Sequence, residues 1–259
     1  MTKLWYRETG PEGAQPLVLL HGLFASMQNW QSIAKRLSGD FRIFNLDLPN
    51  HGNSPHTPAI AYEEMRVQVI EFIEEKIGRS VHLMGHSMGG KVAMLVALTR
   101  PDLVDKIVVE DIAPKLYPPW FAPIVYALAN LPIQRLTSRI EADEMLAKDI
   151  SDGALRTFLL TNLVRTESGQ FQWRVNLDAL VRGGPSIAEF PLEASVGLQS
   201  SARAMFIRGD QSTYILDNDL SVIKAFFPKA QMQTVRGAGH WVHAAEPELF
   251  TRLALDFLL

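Results

Sequence analysis

Between the apolar run Ser80-Val81-His82-Leu83-Met84 and the helical pattern Lys91-Val92-Ala93-Met94-Leu95-Val96-Ala97-Leu98 stand five residues, Gly85-His86-Ser87-Met88-Gly89. A strand that turns at once into a helix cramps the backbone at the residue between them. The positions two before and two after that residue have no room for side chains, and Gly85 and Gly89 meet this need. Such a turn holds the Ser87 hydroxyl clear of the chain and aims the first amides of the following helix at the same point in space. Acyl transfer to a serine needs both. On a purely architectural reading Gly89-Gly90 would only let helix and strand pack closely; the strand before and the helix after favour a nucleophile elbow.

The alternation that contains this junction runs through most of the chain. Leu4 to Thr9 alternates apolar and polar residues, Gly10-Pro11-Glu12-Gly13 closes it as a turn, and Leu17-Val18-Leu19-Leu20 is apolar throughout, so two strands are predicted. Trp30, Ile33, Ala34 and Leu37 recur at helical spacing before Gly39, and Phe41 to Leu46 reads as a strand. Met65, Val69, Phe72, Ile73 and Ile77 form one stripe of a second helix, stopped by Gly78 just before the elbow strand. Beyond Pro101, Lys106-Ile107-Val108-Val109 is a run of the buried-strand type. The pattern predicts an α/β fold, a mostly parallel central sheet with helices on both faces.

From Pro114 to about Ser200 the pattern breaks, because helical stretches follow one another and no strand is predicted. Pro114, Pro118, Pro119, Pro123 and Pro132 cut the first part into short helices and turns, Ala142 to Leu146 and Leu155 to Val164 read as helices, and Gly183-Gly184-Pro185 reads as a break. Residues 114–200 are therefore expected to be a helical lid inserted into a core of residues 1–113 and 201–259. The sheet resumes with Ala204 to Ile207 and, after a helix around Leu220 to Phe227, with Ala230 to Val235. Pro247 then opens a final helix through Leu259 whose apolar residues can cover one sheet face.

Composition narrows what such a chain can do. Hydrophobic residues make up 47% of the 259 and charged ones 20%, as in an ordinary globular protein built around one core. The net charge of -3 and the lack of any basic run argue against nucleic acid as a partner. Apolar stretches such as Val92 to Leu98 fall far short of the roughly 20 residues that cross a bilayer, so no membrane span is expected. With no cysteine there is no disulfide framework and no thiol chemistry. The histidines lack carboxylates at ligand spacing and Gly89-Gly90-Lys91 lacks the upstream glycine of a phosphate loop, so neither metal nor cofactor is expected. Met1 to Arg7 has no secretory-signal pattern, which makes a cytoplasmic location the expectation.

A serine hydroxyl attacks an ester only with a base beside it and a carboxylate that holds the base in the right tautomer. Of seven histidines, His240 lies in Gly237-Ala238-Gly239-His240-Trp241, just after the last predicted strand, where a glycine-rich loop can return an imidazole over the elbow. His243, at the start of a helix, reads as a surface or capping residue; His86 as facing core polar groups; His82 as packing. Two places can supply the acid. Asp111 ends the run Ile107 to Val109 at the carboxyl end of a strand, where active sites of open α/β sheets gather, and is taken as the acid. Glu110 should then face away, because side chains alternate along a strand. Asp210, in Arg208-Gly209-Asp210-Gln211-Ser212, is the second candidate, with capping of its own loop as its plainer role, and Asp217 comes later. Ser212 is a candidate fourth member, bonded to Asp111 or His240.

Charge that develops on a substrate oxygen needs donors already in place, each worth roughly a hundred- to a thousandfold in rate. Met88 supplies one backbone amide. The second is expected from His21-Gly22-Leu23-Phe24, with Leu23 first and Phe24 second, since Gly22 lets that loop pass close to the elbow while His21 anchors it. The polar loop from Asp47 to Ser54 is expected to brace its neighbours through bonds from side chain to backbone.

With His21-Gly22, the Asp47 to Ser54 loop, the Ser87 elbow and Gly239-His240 in this order, nearly the whole chain resembles the alpha/beta-hydrolase superfamily. More narrowly, His21 to Ser26, Asn50 to Ser54, Asp111-Ile112-Ala113-Pro114 and Phe171-Gln172-Trp173-Arg174-Val175-Asn176-Leu177 are similar to bacterial YbfF-type esterases. That group places its acid after the strand before the lid and carries serine at the usual acid position, which fits Asp111 and Ser212. Pro49 departs from the arginine often found in the related loop. The resemblance implies hydrolysis of carboxylic esters or acyl thioesters through an acyl-enzyme on Ser87. Trp120, Phe121, Tyr126, Phe158, Phe171 and Trp173 of the lid suggest a pocket for an apolar acyl group, although packing between lid and core accounts for aromatic residues at such spacing as well. Serine at position 87 argues against dehalogenases and epoxide hydrolases of this fold, which use aspartate. Cofactor-free perhydrolases and carbon-carbon bond hydrolases share the triad, and a non-catalytic receptor for a small ligand is the alternative of a different class.

Overall fold

The apolar runs Leu17 to Leu20 and Ile107 to Val109 lie inside a sheet whose edges are the polar-rich Tyr6–Thr9 and Gln231–Val235. The computed structural model describes residues 4–191 and 197–259; Met1-Thr2-Lys3 of the N-terminal segment and residues 192–196 of the expected lid lie outside the described residues. In chain order the first part comprises β1 (Tyr6–Thr9), β2 (Gln15–Leu20), α1 (Gln31–Leu37), β3 (Phe41–Leu46), α2 (Tyr62–Phe72), β4 (Val81–His86), α3 (Met88–Thr99) and β5 (Val104–Glu110). An insertion follows with α4 (Ala122–Ala129), α5 (Arg139–Leu146), α6 (Gly153–Leu160), β6 (Leu163–Arg165), β7 (Phe171–Trp173) and α7 (Leu177–Ala188). The chain then returns with β8 (Arg203–Gly209), α8 (Leu220–Phe226), β9 (Gln231–Val235), α9 (Val242–Ala245) and α10 (Pro247–Leu258).

Seven strands form one sheet in the order β1-β3-β2-β4-β5-β8-β9, parallel throughout except for the antiparallel edge strand β1. Alternation along the strands divides the core in two. Leu17, Leu19, Met84, Val108, Met205 and Ile207 pack on one face with Ile33 and Leu37 of α1 and Phe250 and Phe257 of α10. Val18, Leu20, Leu83, Ile107 and Val109 pack on the other with Val69 of α2 and Val92 of α3, and this second cluster continues into the insertion through Phe121, Leu128 and Leu180. Leu20 pairs with Gly85, Gly85 with Val109, and Glu110 with Ile207, so the carboxyl ends of β2, β4, β5 and β8 stand side by side. Among the described residues no helix is long and apolar enough to cross a membrane.

The insertion departs from the sequence reading in three places. It contains strands, since β6 and β7 pair as a hairpin with Leu163 opposite Trp173 and Arg165 opposite Phe171. The helix read as far as Val164 ends at Leu160. Gly169, at φ 83°, turns the hairpin, and Phe171-Gln172-Trp173 has strand alternation over three residues. The break read at Gly183-Gly184-Pro185 is absent, because α7 runs straight through it. Helix propensity is overridden there by packing against the core: a Cβ on Gly183 would stand 2.4 Å from the Ile60 carbonyl oxygen, so the glycine lets two backbones meet. Pro123 opens α4 rather than cutting it, its missing N–H falling where no helical bond is needed.

Candidate active site

The elbow is built by contact. A Cβ at Gly85 would lie 2.3 Å from the Gly89 carbonyl oxygen, and one at Gly89 would lie 2.3 Å from that of Leu20, so strand, turn and helix close on each other without room for side chains. Ser87 sits between them at φ 50°, ψ -114°, and its amide donates to the Glu110 carbonyl at 3.0 Å. Left-handed conformations of this kind cost a non-glycine residue of the order of 1 kcal/mol or more, and they gather here. Phe24, Ser87 and Asp111 have φ of 60°, 50° and 50°.

Asp111 follows β5 directly and is fully buried, with its amide donating to the Ile207 carbonyl at 2.8 Å. His240, in the loop between β9 and α9, lies with Nδ1 2.8 Å from Asp111 Oδ2. The Ser212 hydroxyl bonds the same oxygen, and its own oxygen accepts from the Tyr214 amide at 3.2 Å. The Tyr214 ring stacks on the His240 imidazole at 3.7 Å and 17°. The His240 loop is joined to the elbow as well, because His86 Nε2 donates to the His240 carbonyl at 3.0 Å. Ser87 itself lines a pocket with room for about one water-sized sphere, about 20 Å³, together with Leu23, Met88, Lys91, Tyr117 and Tyr214.

Burial sets the charge states. It pushes the His240 imidazole down to about 4, with the Glu110 charge opposing and His243 adding to the effect. It pushes the Asp111 carboxyl up to about 7, opposed first by the bond from Ser212. The Ser212 hydroxyl donates to Oδ2 and holds the carboxyl toward its ionised form, and an ionised Asp111 accepts Nδ1–H from a neutral ring. Nε2 is then the ring nitrogen left with a lone pair.

The competing carboxylates stand elsewhere. Asp210 is exposed, and Oδ1 accepts the Gly237 amide at 2.8 Å, so it caps its loop. Asp217 is exposed and pairs with Arg208 at 2.6 Å. Of the two amides considered beside Met88, that of Phe24 is directed at His51 Nε2 at 3.3 Å, whereas that of Leu23 has no acceptor among the described residues. Met88 opens α3, and its amide has no partner within the helix. His21 braces the Leu23 loop, accepting from the Leu48 amide at Nε2 (2.9 Å) and donating from Nδ1 to the Gly22 carbonyl (2.8 Å). Asp47 accepts from Met27 at 2.7 Å and from Asn53 at 2.8 Å, which ties the polar loop to α1's approach.

The contacts of four residues near the site were not legible in the sequence. Tyr214 carried no local signal, since its role depends on a ring brought in from another segment. Glu110 and His243 form a buried pair, with His243 Nδ1 within 2.9 and 2.8 Å of the two carboxylate oxygens and its amide 2.8 Å from Oε1. The reading of His243 as a surface or capping residue is therefore corrected: the ring is buried and stacks on Trp30 at 4.6 Å. Lys91, one turn after Ser87, is 1% exposed and donates to the carbonyls of Ile187, Ala188 and Glu189 at 3.1, 3.0 and 2.8 Å. The three protons of its ammonium match three carbonyls at the end of α7, and burial lowers its pKa to about 7.

Beside the small pocket an open apolar groove of about 770 Å³ runs between α4 and α7. Tyr117, Phe121 and Ala188 line both, and Leu116, Val125, Leu180 and Val181 extend the groove outward. Phe121 and Tyr126 are groove residues and Trp120 lines the small pocket, in line with the aromatic reading. Phe158, Phe171 and Trp173 are on neither wall. Phe158 packs on Trp241 at 5.6 Å, and Phe171 lies under the Arg165 guanidinium at 4.2 Å. Among the described residues no group of three or more His, Cys, Asp or Glu side chains is arranged to hold a metal ion.

Residues 17–253 match the model of a family described as the alpha/beta hydrolase family. The mouse (Mus musculus) sn-1-specific diacylglycerol lipase ABHD11 is 39% identical over 93% of this chain and 80% of its own length. Escherichia coli esterase YbfF is 31% identical over 94% of this chain and 92% of its own. A solved structure of a marine microorganism esterase superimposes with a TM-score of 0.94 at 37% identity, covering 99% of this chain and 100% of that one.

Proposed function

The chain belongs to the alpha/beta hydrolase family, and from that premise we propose that it is a carboxylic ester hydrolase working through an acyl-enzyme on Ser87. The observation that carries this reading is the Asp111–His240 bond of 2.8 Å beside a serine elbow whose amide is fixed by the strand that ends in Asp111. His240 Nε2 takes the Ser87 proton as the oxygen attacks the ester carbonyl, and Asp111 stabilises the imidazolium that forms. The amides of Met88 and Leu23 receive the developing oxyanion. His240 then protonates the departing alcohol, and water attacks the acyl-enzyme by the same route in reverse. The ring is neutral at pH 7, burial having lowered its pKa, and the negative charge of Asp111 compensates when it takes the proton.

The insertion serves as the lid, and the groove between α4 and α7 receives the acyl chain. Its wall of Leu116, Val125, Leu180 and Val181 favours apolar acyl groups, whether the leaving group is an alcohol or a thiol. Turnover of p-nitrophenyl esters by the purified protein, with covalent labelling by a serine-directed fluorophosphonate, tests the reading. Wild type is expected to turn over and to label once, and Ser87→Ala to do neither. A folded wild-type protein that does neither would make the pocket a receptor rather than a catalyst.

A further inference from the structure

Two neighbouring carboxylates at the end of β5 grip two histidines three residues apart. Asp111 holds His240, and Glu110 holds His243 through the ring and the backbone amide together. Glu110 does more than pair with an imidazole, because its main-chain carbonyl also accepts the Ser87 amide at 3.0 Å. One residue with no measurable exposure thus bears on both the nucleophile and the loop that carries the base. Asp111 stands just beyond the strand at a left-handed φ of 50°, its carboxylate on His240 while that of Glu110 is on His243.

A buried carboxylate is retained at a cost of desolvation, so its surroundings should show what holds it ionised. Burial pushes the Glu110 carboxyl up, but the adjacent His243 and His86 and the bonds from His243 outweigh it and keep the group below the usual range. The rings around it form a row: His86 lies 5.4 Å from His243 and 4.6 Å from His240, centre to centre. Besides Glu110, the titratable groups that face His240 are Asp111 from the same strand end, His86 from β4, His243 from α9 and Tyr214 from the loop after β8.

We propose that Glu110 is a positioning residue for the reaction, fixing the His240 loop through His243 and lending its negative charge to the imidazolium that forms when His240 takes the serine proton. The inference rests on the serine-histidine reading above. Without Glu110 the loop loses its tie on the His243 side and keeps those to Asp111, His86, Asp210 and Gln211, and His240 loses one of the two anions that favour its protonated form.

The test compares Glu110→Gln and Glu110→Asp with wild type on p-nitrophenyl acetate across pH, with fluorophosphonate titration to count active sites. For Glu110→Gln, kcat per titrated site is expected to fall about tenfold or more with KM nearly unchanged, since placement of the base is lost. The acid limb of the pH profile is expected to move to lower pH by about half a unit, since the imidazolium has lost a favourable charge. Glu110→Asp, which keeps the charge, should restore the position of the limb. A purely architectural role predicts fewer titratable sites, each with the wild-type kcat and limb, and that result overturns the proposal. If Glu110→Gln yields no folded protein, His243→Gln decides. There the Glu110 charge is less compensated, so the limb should rise while kcat falls; a wild-type profile overturns the proposal. Loss of the serine reading itself would appear earlier, as a wild-type protein that neither labels nor turns over.

Discussion

The sheet and the insertion between β5 and β8 are held in opposite ways. Strands β2, β3, β4, β5 and β8 are tied by ladders along their length, and their inward side chains are almost without exposure. The insertion meets the core through its apolar inner face and through single hydrogen bonds scattered along it rather than a ladder. Lys91 caps the end of α7, the Tyr62 hydroxyl donates to Ile187 at 3.0 Å, Asn162 Nδ2 donates to Phe24 at 2.6 Å, and Asn176 Nδ2 donates to Asn50 at 2.8 Å. Ser87 and Asp111 therefore stand at strand ends, where small displacements are opposed by the whole ladder, and His240 stands in a loop bonded to them through Asp111 and His86. The groups that would meet the acyl chain stand on helices fastened at points. Reaction geometry tolerates displacement poorly and apolar contact tolerates it well, so the two kinds of support suit the two tasks.

If that division is right, changes at the strand ends should lower turnover for every substrate, and changes in the insertion should alter only preference. The largest effect is expected for Asp111→Asn, which leaves His240 in the wrong tautomer and should lower kcat by about four orders of magnitude on short and long esters alike, as in the serine protease triad. Asp210→Asn, which loses only a bond to Gly237, should leave kcat within about threefold, because a loop cap carries no reacting proton. The reverse ranking, measured by steady-state kinetics, would move the acid to Asp210 and break the comparison. A smaller effect is expected in the groove. Each methylene buried there is worth about 0.8 kcal/mol, so kcat/KM should climb by up to about fourfold per carbon from acetate upward until the groove is filled. Val181→Glu, on the groove wall, should flatten that climb while leaving acetate hydrolysis unchanged; equal losses on both esters would show that the insertion bears on the chemistry. The smallest effect is a displacement in pH. Ser212 donates to Asp111 and opposes the rise that burial causes, so Ser212→Ala should raise the Asp111 pKa further. The acid limb reports proton uptake by the proposed Asp111–His240 pair as a unit, which loss of the Ser212 bond favours at the carboxylate, hence the limb should move to higher pH, with kcat on the plateau changed by no more than a few fold.

The same contrast explains what could be read from the chain. Continuous runs such as Leu17 to Leu20 and Ile107 to Val109 have one physical home, a strand buried on both faces, and all seven sheet strands were legible from them and their neighbours. The strand-to-helix junction at Ser87 was equally legible, because the cramped turn requires glycines at fixed local positions. In the insertion, local preference was outweighed by contacts made far away in sequence. Gly183 reads as a helix stop only until Ile60 is brought against it. The three-residue strands of the β6–β7 hairpin are too short for their alternation to stand out among the helical stretches around them. At the site, Glu110 was expected to face away from Asp111, and it does; that its carboxylate would meet His243 depended on where a loop some 130 residues later returns, a separation of 133 in sequence. Tyr214 on His240 is the same kind of contact.

The positive φ angles at Ser87 and Asp111 set robustness against turnover. Glycine is the residue those backbone angles suit best, so Ser87→Gly and Asp111→Gly each relax the chain while deleting a side chain of the proposed triad. A laboratory search for heat resistance that scored folding alone would be drawn toward those two substitutions and would harvest inert proteins, whereas one that also scored hydrolysis would have to seek its gains in other parts of the molecule.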